Sequence, residues 1–269
     1  KEFLDIKLLS VKLIVLIIYC SIFRIVLFWI GFPSRFLEGE LVDPSYFSST
    51  FAWGLVKTPI EAFITNIFLI VIGITIYRYV IRYYFTLSKN RFRLIKLIIT
   101  PFLALLIFYT LRGLSASIKS IIFDSTIRYF KEPDLIPNFP SLLMNLNILL
   151  VGLSCIVLIV ALTLLIGKFL GLLKSKPKLS YFLLYYLIIH AACFVFFQFQ
   201  NEPLITPFMC FIFLSLIFSL LYFLLYKHST VSISLVYSSL VAAVITISML
   251  NYFNLELEQR SLKTIANEV

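Results

Sequence analysis

The sequence predicts an all-α fold: a polytopic transmembrane helical bundle of about seven spans, with an interfacial amphipathic helix and a C-terminal helical extension. Three observations predict it. Hydrophobic residues make up 61% of the chain and charged residues 13%, whereas water-soluble domains carry about 45–50% apolar and about 25% charged residues. The apolar runs are of helix length and do not alternate, so they read as bilayer-spanning helices and not as strands. Basic residues collect in every second connection, which is the positive-inside pattern. The net charge of +10 belongs mostly to those connections. There it sets orientation and meets anionic headgroups, and it does not indicate nucleic-acid binding. The lipid bilayer is therefore the first partner to expect.

The bundle is expected over residues 1–250. Residues 1–12 mix Lys1, Lys7 and Lys12 with apolar positions that suit an interfacial helix. The first span follows at about 11–30 and is too long for a signal-peptide core, so it is expected to remain as a signal anchor. Arg24 lies inside it. It either snorkels outward to headgroups or is buried beside an acidic residue. Residues 31–59 form an acidic connection with Glu38, Glu40 and Asp43. The second span, about 60–81, opens with Glu61 and Asn66. A carboxylate near a helix N-terminus suits the helix dipole, so Glu61 needs no proton-relay role.

A basic cluster from Arg78 to Lys96 leads into the third span, about 94–111, which contains Pro101 and closes at Arg112. In the next segment Ser115, Lys119 and Thr126 fall on one side, and Leu114, Ile118, Ile121 and Ile122 on the other. That periodicity predicts an amphipathic helix along the membrane interface, with Asp124 and Arg128 paired at i, i+4. The charges of Arg112, Lys119, Arg128 and Lys131 conflict with an outer location unless they lie at headgroup level. The fourth span, about 141–166, carries Asn145 and Asn147 near its start, and Gly167 and Gly171 at its end read as a close helix contact. The fifth, about 179–197, holds His190 near its centre. A lone histidine among aromatics reads as a hydrogen-bonded packing residue, ahead of a ligand or proton carrier. The sixth and seventh spans are expected at about 204–226 and 231–250. Cys20, Cys155, Cys193 and Cys210 all fall in apolar runs without a CxxC pair, so they read as packing residues.

Residues 251–269 continue the last span without Gly or Pro, as a helical stalk. Leu255, Leu262 and Val269 recur every seventh residue, Ile265 follows Leu262 by three, and Glu258 takes the equivalent place one heptad earlier. This is a short coiled-coil-like seam with one polar interruption. Glu256 precedes Arg260 by four residues, the favourable order for a helical ion pair. A seam of this kind calls for a partner, either a second copy of the chain or another membrane subunit. The helix reaches Val269 without a stop signal, which suggests that the sequence is a piece of something longer or that a partner continues the structure.

Charge bias puts the N-terminus in the cytoplasm, and an odd number of crossings puts the stalk on the extracytoplasmic side. No metal-binding, nucleotide-binding or nucleophile motif is found, and no cofactor or metal is expected.

Residues 111–130, LRGLSASIKSIIFDSTIRYF, and residues 255–269, LELEQRSLKTIANEV, resemble two segments of the N-terminal multi-span membrane region of bacterial sensor histidine kinases. In those proteins an LRG…DS segment follows an early span, and a later helix of the R…L…AN type leads to an extracytoplasmic sensor region. The resemblance implies a two-component signalling protein of the bacterial inner membrane, of which this chain is the non-catalytic input and anchor region. It departs from the whole family in having no phospho-accepting His box and no ATP-binding domain. The alternatives are a structural subunit of a larger membrane complex and, third, a small transporter or channel.

Overall fold

The structure, a computed structural model, describes residues 2–49, 56–86, 93–127, 138–173, 178–227 and 231–268. It is an all-α bundle. The helices are α1 (Glu2–Ile30), α2 (Pro59–Thr86), α3 (Arg93–Phe123), α4 (Phe139–Phe169), α5 (Leu179–Gln198), α6 (Pro207–Lys227) and α7 (Val231–Glu268), with a 3-10 turn at Glu40–Val42 before α2. All seven helices are long and apolar enough to cross a membrane, which marks a membrane protein. No strand occurs among the described residues, and an isolated bridge joins Phe47 to Ser125.

The core is organised around α4. That helix packs on α2, α3, α6 and α7. Its span is 67% buried inside the protein, against 11% for the span in α1, which packs on α2 at the edge. A helix that is apolar all round is what a central position in a bundle requires. The start of α4 is fixed by Asn138, whose side chain accepts a hydrogen bond from the Ser141 N–H at 3.0 Å, and by Pro140 in the first turn. Its end is a Schellman motif. Gly171 takes φ 71°, the Leu172 N–H donates to the Gly167 carbonyl at 3.1 Å, and the Gly171 N–H donates to the Lys168 carbonyl at 3.1 Å. Gly167 and Gly171 therefore terminate a helix; the close contact suggested by their spacing is not between two spans.

A different glycine makes the closest helix approach. A Cβ at Gly152 of α4 would overlap the Thr246 side chain of α7. The buried face of α7 nearby is small, with Ser234, Ser238, Ala242 and Thr246. Small residues let helix backbones come close in a membrane. Ile245, Met249 and Phe253 continue that buried face toward the far end of α7.

The clearest departure from the sequence reading is in α3. It runs unbroken through Pro101 and Arg112 to Phe123, as one helix. Leu111, Leu114, Ile118, Ile121 and Ile122 are buried in the core. Ser115, expected on a polar outer face, is fully buried as well. Residues 114–123 are thus the last third of a span packed on protein, and not a separate helix along the interface. The periodicity is the same in both cases, because a helix face turned to the core and one turned to lipid acyl chains are equally apolar. The opening residues likewise continue directly into α1.

Candidate functional site: one end of the bundle

The polar features of the bundle gather where α1, α3, α5 and α7 approach or reach their C-terminal ends and α2, α4 and α6 begin. The first is a junction of α1, α2 and α4. Arg24 is 5% exposed and donates from Nε to the Thr65 hydroxyl at 2.8 Å. Thr65 in turn donates to the Glu61 carbonyl one turn back, at 2.7 Å. Glu61 is 4% exposed and is the acidic group that acts on Arg24 electrostatically. Its carboxylate accepts from the Lys57 backbone N–H at 2.8 Å and from the Ser34 hydroxyl at 3.0 Å. The carboxylate thus caps the start of α2 and neutralises a buried guanidinium at once.

Asn66 and Asn147 form a second hydrogen-bonded set between α2 and α4. The Asn66 side-chain amide donates to the Asn147 side-chain oxygen at 3.1 Å, and the Asn147 amide donates to the Pro59 carbonyl at 3.0 Å. Asn147 is completely buried. The Asn147 amide thus adds a second donor to the carbonyl of the first residue of α2, across the α2–α4 interface. Of the two readings open for Arg24, burial beside an acidic group is the one realised, and snorkelling outward is corrected. The reason is that Glu61 and Thr65 lie across the α1–α2 interface and offer both charge and an acceptor at that depth.

The second feature is a joint between α3 and α7. Lys119 of α3 meets Glu256 of α7 at 3.3 Å, and Glu256 also accepts from Arg260 at 2.6 Å. The Lys119 ammonium lies 5.4 Å from the Phe123 ring centroid and 5.7 Å from that of Phe253. The Arg260 guanidinium stands 5.0 Å from the Phe123 ring. These are cation–π distances. Asp124, next to Phe123, accepts from the Ser120 hydroxyl at 2.7 Å, and Ser120 meets Ser49 at 2.7 Å. The Asp124 carbonyl accepts from the Ser48 N–H. The first connection is thereby tied to the end of α3. Within that connection, the Ser45 N–H donates to Asp43 at 2.8 Å and holds its carboxyl below the usual carboxylate range.

Beyond the joint, α7 leaves the bundle. Leu255, Leu262 and Ile265 are 59%, 66% and 58% exposed, and Glu258 is half-buried. The seam read from the heptad spacing is therefore an uncovered apolar stripe on a continuous helix. Val269 lies outside the described residues, as does Arg128, the partner expected for Asp124.

The remaining candidates stand apart. His190 of α5 is stacked on Tyr186 at 3.9 Å between ring centroids and meets Phe211 edge-on at 4.9 Å. Its Nδ1 bonds to the Tyr186 carbonyl at 2.9 Å, while Nε2 is buried without a hydrogen-bond partner. It does not join Arg24, Glu61 and Asn66. Arg112 donates to Gln200 at 2.8 Å, at the polar edge of a groove of about 980 Å³ between α3 and α5. Among the described residues, no cluster of three His, Cys, Asp or Glu side chains could hold a metal ion.

Sequence reasoning named Arg24, Glu61 and Asn66 but not Ser34, Thr65 or the Asn66–Asn147 pairing. A signal for the cluster was present. The intramembrane arginine, the carboxylate and the two asparagines all fall near one end of their expected spans. Comparison with protein-family models, curated proteins and solved structures gives no match.

Proposed function

We propose that this chain is a non-catalytic input module of a signal-transducing membrane protein, of the sensor-kinase type, in which α7 couples the bundle to an attached or associated partner. The observation that carries this reading is the construction of α7. It is one unbroken helix from Val231 to Glu268. Its first half is locked against α4 at Gly152 and Thr246. Its second half carries Leu255, Leu262 and Ile265 uncovered. A rigid helix held at one end and bare at the other transmits a shift or rotation without absorbing it. An exposed heptad stripe is satisfied by pairing with another helix.

The polar junction supports the same reading. Arg24 bonds to Thr65 across the α1–α2 interface and Asn66 to Asn147 across the α2–α4 interface, which suits a fixed frame against which α7 moves. The orientation follows from the basic connections: N-terminus in the cytoplasm, junction and stalk on the extracytoplasmic face of the inner membrane.

Cysteine substitution tests this. With Leu262→Cys in a chain whose four native cysteines are serine, mild oxidation in membranes should join two copies through the stalk. An impermeant thiol reagent should label the same cysteine in intact cells. Cross-linking to an unrelated membrane protein would favour a structural subunit instead. Protection from the reagent in intact cells but not in lysed ones would reverse the orientation.

A further inference from the structure

Two of the four cysteines do more than fill space. Cys193, near the C-terminal end of α5, and Cys210, near the N-terminal end of α6, have their sulfurs 3.1 Å apart. Both side chains are buried. Bonded sulfurs in a disulfide are about 2.05 Å apart, so an approach of about 1 Å is needed. The register of the two helices is held independently: Tyr186 and Ser215 share a hydrogen bond at 2.9 Å, and Phe182 packs edge-on against Phe218 at 5.8 Å. Cys20 in α1 and Cys155 in α4 make no sulfur–sulfur contact among the described residues.

The surroundings are not plain hydrocarbon. A cavity of about 20 Å³ is lined by Cys193 and Cys210 together with Arg112, Ser115 and Gln200. That is room for one water molecule, and the polar lining gives such a water partners. A water that reaches a thiol can accept its proton, and the thiolate is the reactive species. A thiol sealed in apolar packing stays protonated and inert.

We infer that Cys193 and Cys210 are a redox pair that closes into a disulfide between α5 and α6. The oxidant is hydrogen peroxide, small enough to enter a water-sized cavity. Cys193 loses its proton to water, and the thiolate attacks one peroxide oxygen; the O–O bond breaks, the leaving hydroxide takes up the proton as water, and the Cys193 sulfur becomes a sulfenic acid. Cys210, deprotonated in turn, attacks that sulfur, the S–O bond breaks, and a second water leaves. The protein gives up two electrons and two protons, and the peroxide becomes two molecules of water. The bond would fix the α5–α6 hairpin beside Arg112 and Phe108 of α3, which contact Gln200, just past α5, and Phe196 of α5. This inference does not rest on the coupling role of α7.

The test uses the full chain in membranes, with a protease site inserted in the 199–206 connection. Thiols are trapped with acid and blocked, the connection is cut, and the fragments are run without reductant. One sample is taken as isolated and one after incubation with dilute hydrogen peroxide. In the peroxide-treated sample at the least, the fragments should stay joined until reductant is added. Cys193→Ser and Cys210→Ser should each separate in both samples, while Cys20→Ser and Cys155→Ser behave like the parent. Differential alkylation of the uncut chain, read by mass, should show two thiols blocked before reduction and two more after it. Separation of the parent fragments in both samples, with all four thiols blocked before reduction, overturns the inference. So does joining that survives in Cys193→Ser.

Discussion

The junction of α1, α2 and α4 and the joint of α3 and α7 stand at the same end of the bundle, and each is built on a pair of opposite charges. They are otherwise unlike. At the junction, Arg24 and Glu61 are almost fully buried, and each takes part in hydrogen bonds to other groups. At the joint, the Lys119 and Glu256 side chains are 28% and 26% exposed. The first arrangement is rigid because no member can leave without stranding another. The second can open and close, because solvent replaces what is lost. Under the coupling role proposed for α7, the junction is a fixed frame elsewhere in the bundle and the joint a releasable latch on the helix itself.

The largest expected effect comes from cutting the frame. Glu61→Leu removes the counter-charge of a buried arginine, and breaking a buried pair in this way costs about 3–5 kcal/mol. Thermal unfolding of the detergent-solubilised protein should show a large loss, which Glu61→Gln reverses in part, its amide oxygen accepting from the Lys57 N–H and its NH2 donating to the Ser34 hydroxyl. Equal losses for Leu and Gln would mean that the hydrogen bonds contribute nothing.

Next comes the root of α7. Gly152→Ala puts a methyl group into the Thr246 side chain, which is β-branched and bonded to the Ala242 carbonyl at 2.8 Å, so it cannot turn away freely. Overpacking of this kind costs about 1–3 kcal/mol. Gly152→Ala combined with Thr246→Ser should recover most of it in the same unfolding assay. No recovery would show that α4 and α7 do not meet as closely as described.

The smallest effect belongs to the latch. Glu256→Ala should lower stability by less than about 1 kcal/mol, and the difference from the parent should shrink in high salt. Its signature is mobility: hydrogen exchange in residues 254–268 should rise while α4 stays protected. If Glu256→Ala costs as much as Glu61→Leu, the distinction between frame and latch fails.

Much of this was legible in the residues themselves. The helical class followed from composition, and α7 followed from a stretch without Gly or Pro. Arg24 and Glu61 stood out because ionisable residues inside a span are rare and rarely idle. The end of α3 was read otherwise because Leu114, Ile118 and Ile121 have the spacing of any one-sided helix. Only the neighbours of that helix say whether the apolar side faces lipid or protein. The cysteine pair was invisible for a related reason: Cys193 and Cys210 lie on different helices, and no local pattern announces which faces of α5 and α6 will meet.

The sequence by itself determined that the chain crosses a bilayer as helices, because buried backbone in hydrocarbon must bond to itself within each segment. It also determined that the last helix outruns the bundle, because nothing in residues 251–268 stops it. The tertiary structure alone decided which polar groups are partners. Arg24 meets Glu61, Asn66 meets Asn147 and Cys193 meets Cys210 across the interfaces of separate helices. Pairing across helices depends on rotation and depth of each helix, and those are set by packing and not by the order of residues along one chain segment.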